Sequence, residues 1–182
     1  MIIEKEAKTG FEGGAVPGAA VGDVVVYAAH GVGRIVAREQ RLIAGAEREC
    51  VVLDLAAGLR VTLSLEEATE RLRPVADEDE LKVVQMMLAA EPTGRDGPWT
   101  QRMRESKEKL ARGRASELAE LVRDGIRHER SGARRLSAGE SSVYKQARQL
   151  LVREICSARG IDETEANQWI EAQVALPDES GD

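Results

Sequence analysis

The chain has 182 residues, a hydrophobic fraction of 42% and a net charge of −6. This hydrophobic content supports packed cores and excludes a wholly disordered chain, and the length fits one domain or two small ones. Taken whole, the negative charge argues against a nucleic-acid-binding protein, because such proteins usually carry a surplus of Lys and Arg.

The distribution of charge along the chain weakens that first conclusion. Residues 98–160 contain 15 basic and eight acidic residues, whereas residues 161–182 contain seven acidic residues and no basic one. The interior segment is therefore the part that could face phosphates. A solvated helix face is the alternative explanation, and charge alone does not separate the two.

Residues for catalysis or metal binding are scarce. The chain has two Cys and two His and shows no CxxC, HExxH, GxSxG or P-loop motif. We therefore expect no enzyme, no catalytic residues, no metal site and no cofactor. No apolar run approaches the roughly 18–20 residues that span a membrane, and the first 20 residues lack a secretory core. A cytoplasmic protein without membrane association is the expectation.

The front of the chain is rich in β-branched residues and turns. Short strands are expected near residues 23–28, 34–38, 50–55 and 59–65, with a hairpin connection at 42–47. About five strands joined by tight turns predict a small barrel of the SH3 or Tudor type over residues 21–75. Residues 1–20, rich in Gly and Ala, are expected to form a flexible leader.

From residue 76 onward the hydrophobic period becomes helical. About five helices are predicted over residues 76–176, and residues 177–182 form an acidic tail. Helix ends are signalled by Gly113, by the capping-box pair Ser137 and Glu140, and by Asp162. Gly125, inside a helix, is expected to allow close packing. The predicted fold class is thus α+β, a small five-stranded barrel followed by a compact helical domain.

Trp99 opens a predicted helix that carries a dense set of cations. An aromatic ring beside Arg and Lys suits nucleic acid, because the ring stacks on or wedges against a base while the cations hold phosphates. The alternative is a Trp that fixes the helix N-terminus to the core. The sequence leaves both open.

Three motifs in a fixed order resemble the CarD/CdnL family of bacterial RNA polymerase-binding regulators. The first is the run from Val21 to Tyr27 followed by residues 30–35 and 41–45. The second is Trp99 with its basic neighbours. The third is Ser-Ala-Gly-Glu at residues 137–140, followed by Ala-Arg-Gln-Leu-Leu at 147–151. The resemblance covers residues 21 to 175.

This resemblance implies a non-catalytic regulator that docks on the RNA polymerase β-subunit lobe through its front module. Its helical domain would contact promoter DNA at the upstream edge of the transcription bubble, where Trp99 would wedge and stabilise the open complex without reading sequence. The implied DNA-binding residues are Trp99, Arg102, Arg104, Lys107 and Lys109. The implied polymerase-binding residues are Arg41, Arg60 and Thr62.

Several positions depart from the family pattern. Thr62 stands where a basic polymerase-contacting residue is common, and Arg60 on the same strand face is the expected substitute. Ser141 and Ser142 follow Ser-Ala-Gly-Glu where relatives often have a basic residue. We expect a monomer associated with the nucleoid through polymerase. A protein–protein adaptor on polymerase, whose basic helices meet an acidic protein partner, is the alternative function.

Overall fold

The computed structural model describes residues 19–91, 98–131 and 136–174. The predicted acidic tail and most of the predicted leader lie outside the described residues. The elements are β1 (Val24–Tyr27), a 3-10 turn (Ala28–His30), β2 (Gly31–Ile43), β3 (Ala46–Leu55), a 3-10 turn (Ala56–Gly58), β4 (Arg60–Ser64), α1 (Leu65–Arg71), β5 (Leu72–Pro74), α2 (Glu78–Ala89), α3 (Trp99–Arg112), α4 (Ala115–Arg130), α5 (Ala138–Arg159) and α6 (Glu163–Gln173). The predicted α+β class is confirmed.

The five strands form one antiparallel sheet in the order β4-β3-β2-β1-β5. The edge strands β4 and β5 do not pair with each other, so the sheet is open where a barrel was predicted. Strands β2 and β3 are longer than predicted and turn tightly at Ala44 and Gly45, both with positive φ. From the Gln40–Glu49 pair to the turn, this hairpin pairs only with itself among the described strands.

A short helix, α1, was not predicted. The alternating pattern suggested a strand through Leu65, but the strand ends at Ser64 and the helix begins one residue later. The Ser64 hydroxyl accepts the Glu67 N–H at 3.2 Å, while the Glu67 carboxylate accepts the Ser64 N–H at 3.1 Å. This capping box stabilises a helix start and overrides the strand pattern. Ala68 of α1 is fully buried in the core of the sheet.

The helical domain contains the five helices α2–α6 around one hydrophobic core. Predicted ends are found at Gly113, in left-handed conformation, and at the caps Ser137 and Asp162. The predicted role of Gly125 is also confirmed, because a Cβ there would lie 2.2 Å from the Tyr144 ring. None of the described helices is both long and apolar enough to cross a membrane.

A buried ion pair joins the sheet to the helices. Glu154 of α5 is only 2% exposed and accepts from both terminal nitrogens of Arg73, on β5, at 2.5 and 2.8 Å. The same carboxylate accepts the Ala76 N–H at 3.2 Å, and Arg73 also donates to the Gly113 carbonyl at 2.7 Å. One carboxylate and one guanidinium therefore hold together β5, the interdomain segment, the α3–α4 turn and α5.

Two glycines let the domains approach closely beside this ion pair. A Cβ at Gly31 would lie 2.8 Å from the Leu150 side chain of α5. A Cβ at Gly113 would lie 2.6 Å from the Ala28 carbonyl oxygen, and Gly113 also has a φ of +62°, which favours glycine. The relative placement of the domains thus depends on backbone contact as well as on charge.

Replacing Glu154 by Ala should lower the free energy of unfolding by about 3–5 kcal/mol, because Arg73 then loses its buried carboxylate. Urea denaturation measures the change. The control is the double variant Arg73→Met with Glu154→Leu, which removes both charges and should lose less stability than the single variant. A double variant that loses more than Glu154→Ala would contradict this account of the pair.

Candidate nucleic-acid and polymerase-facing surfaces

Helix α3 presents Trp99 at its first residue. Pro98 precedes it and suits a helix start, because its missing N–H has no partner to lose there. Met103 and Leu110 are buried and attach the helix to the core, whereas Trp99 remains 44% exposed. Trp99 therefore does not serve as the buried anchor of α3, and part of its ring is available at the surface.

The predicted cations of α3 lie on two sides of the helix. At 100° per residue, Arg102 and Lys109 fall on one side of the buried stripe, and Arg104 and Lys107 fall on the other. Arg102 and Lys109 line a cleft against α4 and the start of α5. The helix therefore does not bring these residues into one continuous patch.

Several of these cations already have acidic partners. Lys109 forms an ion pair with Glu120 of α4, and Arg104 lies 3.6 Å from Glu108 one turn along its own exposed face. Arg102 is half-buried. Lys107 is exposed and makes no ion pair within the described residues. The basic surplus seen in the sequence is thus partly neutralised inside the fold.

Two further exposed cations were not singled out from the sequence. Arg114 precedes α4, and Lys145 lies on α5; neither forms an ion pair in the described part of the chain. Sequence alone marks them only as members of the basic segment, because it does not reveal which cations find acidic partners.

The cleft beside α3 has a volume of about 200 Å³ and a mixed lining. Tyr144 forms part of its wall and is buried against Gly125. Burial raises the pKa of the Tyr144 hydroxyl, while the Arg148 guanidinium opposes that shift. Lys109 and Glu120, which both line the cleft, neutralise each other, so this pair offers no unpaired charge to a ligand.

The Trp99 helix also contacts the Ser-Ala-Gly-Glu turn. A Cβ at Gly139 would lie 3.6 Å from the Met103 methyl group, so the two segments pack side by side. The Ser137–Glu140 capping box fixes the start of α5 at this contact, with bonds of 2.8 and 3.3 Å. Two motifs about 40 residues apart in the chain therefore form one structural unit.

The three predicted polymerase-binding residues share one face of the sheet. In the strand register, Arg41 pairs with Arg48, Thr62 with Val52 and Arg60 with Asp54. Positions 48, 52 and 54 of β3 point to the same side because strand side chains alternate. Thr62 and Arg60 are neighbours there, whereas Arg41 lies about 13 Å from Thr62 and about 20 Å from Arg60 along the hairpin, at about 3.3 Å per residue.

Both basic members of this face are paired with carboxylates. Arg60 binds Asp54 in bidentate fashion at 2.6 and 3.0 Å, and this hydrogen bonding holds the pKa of Asp54 below its usual range. Arg41 donates to Glu39 at 2.6 Å while its side chain stays about half exposed. Exposed pairs of this kind are weak, so either arginine can exchange its partner for one on another protein.

Two family models match the chain. The model described as "CarD-like/TRCF RID domain" matches residues 20–76, and "CarD, C-terminal domain" matches residues 82–171. Among curated proteins, "Putative transcription factor YdeB" of Bacillus subtilis (strain 168) is 29% identical over 151 residues, which cover 82% of this chain and 97% of the relative. The matches include both the sheet and the Trp99 helix.

The two tryptophans should differ in solvent access. In the Trp169→Phe variant, which retains Trp99, emission should lie at longer wavelength and be quenched more strongly by acrylamide than in the Trp99→Phe variant. The retained Trp169 packs against the core with the Arg159 guanidinium 5.0 Å from its ring. Stronger quenching of Trp169 than of Trp99 would contradict the exposed placement of Trp99.

Proposed function

The chain belongs to the CarD/CdnL family, and on that premise we propose that it is a non-catalytic transcription regulator of the bacterial cytoplasm. It docks on the RNA polymerase β-subunit lobe and stabilises the promoter open complex through Trp99. The observation that carries this proposal is the exposed Trp99 at the start of a cation-bearing helix that is fixed to both domains.

The sheet face with Arg41, Arg60 and Thr62 is the docking surface in this proposal. Its support is the match of residues 20–76 to a polymerase-interacting domain model and the shared orientation of the three side chains. Thr62 supplies no charge, so the contact depends on the two arginines. Each of them must leave an acidic neighbour, Glu39 or Asp54, when polymerase carboxylates replace it.

Docking delivers the Trp99 helix to DNA. Free DNA is a poor ligand, because Lys109 and Arg104 have acidic partners and few cations remain to neutralise phosphates. Once the sheet is bound to polymerase, the helix meets the fork intramolecularly at a high effective concentration. The Arg73–Glu154 pair makes this effective by limiting motion between the domains.

At the fork, Trp99 acts as a wedge against an unstacked base pair, and the exposed Lys107 holds the backbone. Such a wedge shifts the equilibrium toward the open complex only by its preference for melted over closed DNA. Stacking of one aromatic side chain on a base contributes about 1–3 kcal/mol. That range corresponds to about a 5- to 150-fold change in open-complex stability at 1.4 kcal/mol per factor of ten.

Replacing Trp99 by Ala should shorten the open-complex lifetime by about 5- to 150-fold relative to that with the unsubstituted protein, while polymerase binding stays intact. A competitor-challenge assay measures the lifetime. The matched control is Met86→Ala, which removes another exposed apolar side chain, 58% accessible, from α2. Equal lifetimes for Trp99→Ala and Met86→Ala would refute the wedge.

Reversing the charge of Arg41 should weaken capture by the isolated β-subunit lobe by about tenfold or more, because a carboxylate there repels the acidic partner surface. A pull-down titration of Arg41→Glu provides the measurement. Lys82→Glu is the control, since Lys82 is exposed on α2 in the helical domain and not on the sheet. If Arg41→Glu binds as well as this control, the sheet face is wrongly assigned.

A further inference from the structure

The solvent-facing side of α5 carries positive charge and no negative charge. The structure describes every residue of this helix, and its two acidic residues are Glu140, half-buried in the first turn, and Glu154, buried in the ion pair to the sheet. No exposed position of α5 is acidic. Lys145 is exposed and Arg153 is half-buried, and neither forms an ion pair within the described residues. These two cations are therefore not neutralised by the fold.

Four polar residues follow one another along this side, and we call them the α5 stripe: Ser142, Lys145, Gln149 and Arg153. At 100° per residue, the last three fall within an arc of about 80°. They are four residues apart, so the two cations are separated by about 12 Å along the helix axis. A hydroxyl, an ammonium, an amide and a guanidinium are all groups that donate hydrogen bonds to phosphate oxygens.

Helices α3 and α5 lie side by side and run in the same direction. Near their starts, a Cβ at Gly139 would lie 3.6 Å from the methyl group of Met103. Near their far ends, Arg73 binds both the carbonyl that follows α3 and the buried carboxylate of α5. The stripe therefore begins at the end of the domain where Trp99 is exposed and runs from there toward the sheet.

These contacts give the spacing between Trp99 and the stripe. Trp99 precedes Met103 by four residues and Lys145 follows Gly139 by six, which places Lys145 about 15 Å from Trp99 along the shared helix direction. Arg153 lies about 12 Å further along. At about 3.4 Å per base pair, the two cations are level with positions about four and eight base pairs from a fork at Trp99.

The chemistry of the stripe suits a nucleic-acid backbone better than a protein surface. The large apolar side chains that are exposed in the described residues lie on the strands, on α2, at Trp99 and near the start of the sheet, and none lies on α5. Protein interfaces are built around apolar and aromatic contacts with few charges at their centre. Contacts with phosphates need only cations and polar donors, which is the composition of the stripe.

We propose that the α5 stripe is a second DNA-contacting surface, in which Lys145 and Arg153 each neutralise one phosphate of the duplex upstream of the fork. This inference rests on the proposed function, because the duplex reaches the stripe only when polymerase and Trp99 hold the fork. The helix that carries Trp99 and the helix that carries the stripe share one core, so the two contacts form together.

The salt dependence of binding to a polymerase–promoter complex tests the stripe. Each neutralised phosphate contributes about 0.9 to the slope of log affinity against log salt concentration. The Lys145→Gln, Arg153→Gln variant should therefore show a slope about 1.8 smaller than that of the unsubstituted protein. Between 50 and 200 mM salt, its affinity should fall by a factor about twelve times smaller.

The matched control is Lys82→Gln with Arg112→Gln, which also removes two cations from the helical domain. Both are already paired, Lys82 with Asp79 and Arg112 with Glu117, so the slope should stay unchanged. If the stripe variant shows the same slope as this control, the stripe does not bind DNA. A promoter cut back to fewer than about four base pairs upstream of the fork should make the stripe variant and the unsubstituted protein equal. A difference that persists on this short promoter would also overturn the proposal.

Two other results separate the possible causes of failure. Weaker binding of the stripe variant to polymerase without DNA would show that the stripe faces an acidic protein surface, contrary to the proposal. If the unsubstituted protein binds polymerase equally well with and without promoter, the proposed function fails and the stripe fails with it. A promoter-dependent gain combined with an unchanged slope in the stripe variant would overturn the stripe alone.

Directed cleavage locates the contact independently of affinity. An iron–EDTA chelate attached at Lys145→Cys, in a Cys156→Ser background that leaves only the buried Cys50, should cut the DNA backbone about four base pairs upstream of the fork. The same chelate attached at Lys82→Cys, on α2, should leave that region intact. Equal cleavage from both positions, or none from Lys145→Cys, would contradict the assignment.

Discussion

The ion pair between Arg73 and Glu154 is the interaction on which the arrangement of the molecule depends. Glu154 is buried in the helical domain, and its charge is balanced by a guanidinium that comes from the last strand of the sheet. Arg73 also holds the carbonyl of Gly113, where α3 turns into α4. The helix that begins at Trp99 therefore ends at the junction between the domains, and its direction is set there.

The proposed mechanism depends on this constraint between the two domains. A protein that binds polymerase with one domain and DNA with the other gains effective concentration only when the two surfaces keep a compatible geometry. The close contacts of Gly31 and Gly113 across the junction add a steric limit to the electrostatic one. Substitutions at the junction, far from either ligand, should therefore affect the DNA step as much as loss of a DNA-facing cation does.

Several basic side chains of residues 98–160 form ion pairs with acidic side chains of the same chain. The basic segment has a large surplus in the sequence, yet Lys109, Arg112 and Arg130 each have an acidic partner in the fold. Some of these partners lie within the segment, and Glu171, the partner of Arg130, lies in the acidic part that follows it. In the proposed function, these internal ion pairs are what keeps affinity for free DNA low.

Local sequence signals predicted the helical half well. Ser137 with Glu140, Asp162 and Gly113 mark helix ends through bonds between near neighbours, and Gly125 marks a close approach. The same logic applied to Ser64 and Glu67 would have found α1, but the alternating apolar pattern before it favoured a strand. The burial of Glu154 and the pairing of Lys109 depend on residues distant in sequence, so no local pattern reveals them.

The sequence did not predict the open sheet or the division of the α3 cations, and the reason is the same for both: each depends on three-dimensional geometry that a local pattern does not contain. Strand pairing is long-range, and five short strands do not specify whether the two edges meet. Arg102, Arg104, Lys107 and Lys109 follow one another in the chain, but helical geometry sends them to opposite sides. The side-chain identities of the candidate surfaces were therefore predictable, and their partners were not.

The central proposal is that polymerase delivers this protein to melted DNA. Its most direct test is to titrate the unsubstituted protein into two reactions at one salt concentration, measuring open-complex lifetime in the first and binding to isolated fork DNA in the second. The lifetime should rise and saturate at protein concentrations that leave the isolated fork unbound. Equal apparent affinities in the two reactions, or a lifetime that does not change, would contradict the account.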